Sequence, residues 1–91
     1  MAIEVKIPTI LRTYTSGAKI VDATGDTLTA LFDDLDANHP GLKGRLVTED
    51  GNLHRFVNVY VNDEDVRFTG SLSTVLKDGD SVTILPAVAG G

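Results

Sequence analysis

Cysteine is absent from all 91 residues, and so is tryptophan. Without a thiol there is no disulfide, no thiolate metal site and no cysteine nucleophile. For sulfur chemistry the consequence is sharper: the chain cannot hold sulfur as a side-chain persulfide, so any sulfur it carries must sit on a carboxyl carbon. Basic residues are also scarce, with eight Lys and Arg against thirteen Asp and Glu, a net charge of −5. A nucleic-acid binder would show a basic stripe, and none is visible; an acidic chain suits partners with positive docking surfaces. No apolar run approaches the ~20 residues of a membrane span. The opening Met1-Ala2-Ile3-Glu4-Val5-Lys6 lacks the basic-then-apolar layout of a signal peptide. The expectation is a cytoplasmic protein bound to neither membrane nor nucleic acid.

What is present fits one small α+β domain. Ile3, Val5 and Ile7 alternate with Glu4 and Lys6, the period of a half-buried strand with its odd positions facing a core. Pro8 ends or bends it, and Ile10-Leu11 can extend the element after a kink. Thr15-Ser16-Gly17 signals a turn, and Ala18 to Asp22 reads as a second strand forming a hairpin with the first. Asp26 or Thr27 can cap a helix whose Leu28, Leu31, Phe32 and Leu35 form one apolar face. His39-Pro40-Gly41 stops that helix, and Leu42 and Leu46 anchor a short second helical turn. A loop over Thr48 to Asn52 turns at Asp50-Gly51. Leu53 to Asn62 reads as the longest strand, with Val57, Val59 and Val61 inward and Phe56, Asn58 and Tyr60 outward. After a polar turn, Val66-Arg67-Phe68 reads as a short return strand. Leu72, Val75 and Leu76 suggest a helical turn under the sheet, and Lys77 to Asp80 leads into a final strand with Val82 and Ile84 inward.

That strand, Ser81 to Leu85, runs into Pro86-Ala87-Val88-Ala89-Gly90-Gly91. Pro86 has no N–H to offer a sheet and should release the chain outward. The division expected is a domain over 1–86 and a flexible tail over 87–91. Gly90 and Gly91 lack Cβ atoms, so their backbone can enter a space too narrow for other residues. What they carry in is the Gly91 α-carboxylate, ionised at neutral pH. The plain alternative is an inert chain end, since termini are commonly small, polar and disordered.

The order of elements, together with several motifs, resembles the β-grasp, ubiquitin-like sulfur carriers of the ThiS/MoaD family. The residues that carry the resemblance are the Asp26-Thr27-Leu28 helix entry, the hairpin from Val59 to Arg67, the run from Leu76 to Pro86 and the Gly-Gly end. They reach across essentially the whole chain. Ile7 to Arg12, Leu53 to Asn58 and Leu85 to Gly91 look most like the branch serving an alternative route of cysteine biosynthesis. The resemblance implies a mixed sheet of four to five strands with one main helix across one face. It also implies a protein co-substrate rather than an enzyme. An E1-like adenylyltransferase using ATP and Mg would activate the Gly91 carboxylate, which then becomes a thiocarboxylate. A PLP-dependent cysteine synthase would receive the sulfur, and a zinc metalloprotease would release cysteine. The chain itself would bind no cofactor and no metal.

Two rival readings stay open: the same tail serves a carrier for molybdopterin or thiamin, or a modifier conjugated through Gly91 to a lysine. A third is a β-grasp binding module whose tail is inert. If the strand parity holds, Phe56, Tyr60 and Leu85 form an exposed patch near the tail's exit, a candidate partner-binding surface. Scattered surface apolars are the ordinary alternative. His39 and His54 lack ligand spacing. Asp33, Asp34 and Asp36 read as a solvated helix face, and Asp63-Glu64-Asp65 and Glu49-Asp50 read as turns.

Overall fold

The structure, a computed structural model, describes residues 3–54 and 57–86. Strand β1 (Ile3–Lys6) realises the expected alternation: Ile3, Val5 and Ile7 are buried while Glu4 and Lys6 are exposed. It pairs antiparallel with β2 (Ile20–Ala23), after a turn in which Ser16 and Gly17 both take positive φ. Between them, Pro8 does not kink a continuing strand. Residues Thr9–Thr15 form a 3-10 helix instead, and it buries Leu11 while leaving Ile10 on the surface. The expected extension through Ile10-Leu11 is therefore corrected. Pro8 is itself extended, but the Leu11 N–H turns back onto its carbonyl at 3.0 Å, which closes a helical turn in place of a sheet rung.

Helix α1 (Leu28–Asn38) starts at Thr27, whose hydroxyl accepts the Ala30 N–H at 3.2 Å; Thr27 rather than Asp26 is the cap. Leu28, Leu31, Phe32 and Leu35 are all buried, as their spacing requires. The aspartates off that face tie down neighbouring backbone. Asp34 accepts the Thr24 N–H, and Asp36 accepts those of Gly41 and Lys43. Asp33 pairs with Lys43. Short α2 (Lys43–Leu46) follows, with Leu42 and Leu46 buried.

The helix entry is clamped from both sides. Leu28 N–H donates to the Thr74 carbonyl and Leu76 N–H to the Asp26 carbonyl. A Cβ added to Gly25 would lie 2.4 Å from the Leu31 nitrogen and 2.8 Å from the Ala30 carbonyl carbon. These are backbone atoms of α1 and cannot swing aside. Gly25→Ala is therefore expected to cost about 1–3 kcal/mol, read as a lower urea midpoint at unchanged m-value. An unchanged midpoint would show that the entry loop retreats freely.

Strand β3 (Val57–Val61) places all three valines in the core with Asn58 and Tyr60 on the other face. It is shorter than expected. Leu53 bridges Val47 instead, and His54 N–H donates to the Leu46 carbonyl, so this stretch belongs to the α2 side. The longest strand among the described residues is β5 (Ser81–Pro86). The return strand is also displaced: β4 is Glu64–Asp65, paired with Tyr60 and Val61. Val66–Phe68 is a 3-10 turn because the Asp65 carboxylate accepts the Arg67 N–H at 2.9 Å, a side-chain bond that competes with further pairing. Another 3-10 turn, Ser71–Ser73, leaves Leu76 buried but Val75 exposed. In the turn before β5, Asp80 accepts from the Asn62 amide and the Lys77 N–H. The Asn62 bond first, and the Lys77 N–H second, hold its carboxyl below the usual range.

The five strands form one mixed sheet in the order β2-β1-β5-β3-β4. Central β5 runs parallel to β1 and antiparallel to β3. One sheet face carries Val5, Val59, Val82 and Ile84 into a single core with the apolar face of α1. This is the β-grasp, ubiquitin-like arrangement.

Candidate functional site

The end of β5 is where the fold places its candidate site. Register fixes which side chains meet there. Leu85 lies opposite Asn58, and Thr83 lies between Tyr60 and Lys6. Side chains directly opposite share a face, so Asn58, Tyr60, Thr83 and Leu85 line the sheet surface away from the helix. Leu85 is 46% exposed, and Tyr60 is half-buried. The two sit on diagonal positions, within reach of a long or aromatic side chain. Of the expected patch, the structure brings Tyr60 and Leu85 together. Phe56 lies outside the described residues, as do Ala87, Val88, Ala89, Gly90 and Gly91.

Beyond the Lys6–Thr83 pair, β1 no longer accompanies β5, because the chain leaves the sheet at Pro8. Leu85 and Pro86 are held on the β3 side, with Pro86 opposite Val57. The Thr9–Thr15 helix fills the vacated side and separates two hollows that meet at Leu85 and Pro86. The hollow on the helix side, about 430 Å³, includes Leu11, Tyr14, Arg45 and His54 in its lining. Arg45 Nε donates to the Tyr14 hydroxyl at 2.7 Å, and its guanidinium lies 5.9 Å from the ring centroid. That hydrogen bond is the main reason the Arg45 pKa stands above its ordinary value, and it fastens the 3-10 helix to α2. The hollow on the open sheet face, about 450 Å³, has Ile10, Ile20 and Leu85 in its apolar lining and Lys6, Arg12 and Lys19 at its edge.

Ile10, Ile20 and the three cations were missed in the sequence because they come from separate segments. Part of the signal was there: Asp22 marks the outward parity of β2, and Ile20 shares it. Among the described residues no group of three or more His, Asp or Glu is placed to hold a metal ion, and no helix is long and apolar enough to cross a membrane. His39 caps the end of α1 with its N–H on the Leu35 carbonyl.

The family model described as the ThiS family matches residues 5–91. Sulfur carrier protein CysO of Mycobacterium tuberculosis (strain ATCC 25618 / H37Rv) is 62% identical over 93 residues, covering 100% of both chains. Small archaeal modifier protein 3 of Haloferax volcanii is 45% identical over 71 residues, 77% of this chain and 72% of that one. Among solved structures, a chain of the Amycolatopsis orientalis BexX/CysO complex superposes with a TM-score of 0.93 at 61% identity, covering 99% of this chain and 100% of that one.

Proposed function

The chain belongs to the ThiS family, and on that premise we propose that it is a sulfur carrier whose Gly91 carboxylate accepts sulfur and donates it for cysteine biosynthesis. The single observation that carries this reading is the full-length 62% identity to a sulfur carrier. The chemistry of the chain agrees with it. With no cysteine anywhere, a carboxyl carbon is the group left to bear sulfur.

A carboxylate is a poor electrophile, so the first step must supply a leaving group. A Gly91 oxygen attacks the α-phosphorus of ATP, held with Mg by an E1-like adenylyltransferase, and pyrophosphate departs. Sulfide then attacks the acyl carbon and AMP leaves with its oxygen, giving a thiocarboxylate; a donor persulfide would first give an acyl disulfide, and a thiol of the donor would then have to reduce its S–S bond to release the thiocarboxylate. A PLP-dependent cysteine synthase would supply the electrophilic carbon that this sulfur bonds to, the Gly91 thiocarboxylate acting as the nucleophile. An S-to-N acyl shift leaves a cysteine amide on Gly91, and a zinc metalloprotease hydrolyses it to free cysteine. Each partner must shield the activated carbon from water. The small side chains of Ala87-Val88-Ala89-Gly90-Gly91 suit a narrow groove that pairs main chain with main chain. ATP, Mg, PLP and Zn belong to the partners, and this chain acts as their protein co-substrate in the cytoplasm. Tyr60 and Leu85, with Phe56, supply the docking surface beside the tail.

The likeness to an archaeal modifier supports a second reading, in which a lysine amine attacks the same acyl-adenylate to form an isopeptide bond. Intact mass spectrometry of the protein from its own cells separates the two. Oxygen replaced by sulfur at the C-terminus, or an added cysteine residue, is the expected result. High-mass conjugates would favour the modifier, and an unmodified chain under every sulfur condition would overturn both.

A further inference from the structure

The open sheet face is electrically lopsided along β5. At its Pro86 end, Lys6, Arg12 and Lys19 edge the apolar hollow around Ile10, Ile20 and Leu85. These are three of the eight basic residues of a chain with net charge −5. Among the described residues none of the three forms an ion pair; the one ion pair there is Lys43 with Asp33. Arg12 Nε donates to the Ile7 carbonyl, a neutral acceptor. At the other end of the same face, Glu4 stands opposite both Asp22 and Ser81, and its N–H donates to the Asp80 carbonyl of a turn that also holds Lys77. Positive charge thus gathers where the tail departs and negative charge where it does not.

Resting on the sulfur-carrier reading above, we propose that this hollow selects the activating enzyme by charge, and that the enzyme's matching surface is an apolar projection ringed by carboxylates. The apolar floor supplies contact area once water is expelled. The cations supply orientation. A carboxylate-edged partner is drawn to the Pro86 end and repelled by the Glu4 and Asp22 end, so encounter brings the tail first into the partner's channel. Such complementarity raises association rates more than it deepens affinity, and it acts within a Debye length of about 10 Å at 0.1 M salt.

The test compares two double variants in adenylation by the E1-like enzyme of the same organism, with full-length chains and pyrophosphate release as readout. Lys6→Glu/Lys19→Glu reverses the edge of the hollow. Lys43→Glu/Lys77→Glu changes net charge equally, away from the hollow; Lys77 lies in the turn at the acidic end of the face, so its reversal leaves the sign of the asymmetry as it is. The first is expected to lower kcat/KM by roughly 10–100-fold at low salt, mostly through KM, with the difference shrinking to within about 3-fold at ~0.5 M salt as charges are screened. The second is expected to stay within about 3-fold of wild type throughout, a surface charge pair contributing little to the fold. Thermal melts check that both remain folded. Equal losses in the two variants, or a loss that persists at high salt, would overturn the charge-selective hollow while the carrier reading stands. A wild-type chain that is not adenylated at all would remove the carrier reading and this inference together.

Discussion

Gly91→Leu is expected to lower adenylation about 100-fold or more, while the melting temperature stays within about 3 °C of wild type. The first magnitude follows from geometry: the acyl carbon must sit in near-attack position against the α-phosphorus, and a displacement of ~1 Å can cost 10²-fold. A leucine side chain at the last residue forces at least that in a channel shaped around a backbone without Cβ atoms. The second follows from where the buried cluster ends. Its last member along the chain is Ile84, and substitutions remote from a core usually change stability by less than ~0.5 kcal/mol, a few degrees in a domain of this size. Gly91→Ala should fall between, since one methyl displaces less. Deleting Gly90 and Gly91 should abolish activation altogether. Equal pyrophosphate release for Gly91→Leu and wild type would end the idea that the terminal carboxylate is threaded into an enclosed site.

Phe32→Ala should do the opposite: a large loss of stability with no direct effect on chemistry. Phe32 is fully buried on α1, in the same cluster as the inward side chains of β1, β3 and β5. Truncation removes the transfer free energy of the ring and leaves a cavity, together about 3–5 kcal/mol. A domain of this length holds roughly 5–14 kcal/mol in all. The melting temperature is therefore expected to fall by about 15–30 °C, with kcat/KM for adenylation near wild type at temperatures where the variant remains folded. Phe32→Leu should recover most of the loss. A melting temperature unmoved by Phe32→Ala would mean that the helix face is not the core of this fold.

The separation of these two effects has a structural basis. The β-grasp keeps its packed residues between sheet and helix and holds the last described residue of β5, Pro86, at the rim. Stability and sulfur chemistry then depend on different residues. On the reading proposed above, the surface between them, with Tyr60, Leu85 and the cation-edged hollow, serves recognition.

Local pattern was enough for much of this protein. The alternation of Ile3, Val5 and Ile7, the helical spacing of Leu28, Leu31, Phe32 and Leu35, and the valines at 57, 59 and 61 each point to the buried side. Every residue in such a run reports its own face with a period of 2 or 3.6. Proline, glycine and capping hydroxyls marked the breaks for the same reason: their effects act within a few residues. The absence of cysteine and the Gly-Gly end, equally, needed no coordinates. Where two elements compete for a short stretch, distant partners made the choice. Leu53 joins Val47 rather than β3, Asp65 bends Val66–Phe68 out of the sheet, and Ile10-Leu11 coils within the Thr9–Thr15 helix where an extension of the first strand was expected. The site is the extreme case. Lys6, Ile10, Arg12, Lys19 and Ile20 lie more than sixty positions before Leu85 in the chain, and they meet it because parallel pairing of β5 with β1 closes that distance. Contacts of that kind depend on loop closure and on packing of the whole domain, and no window along the sequence contains both sides of them.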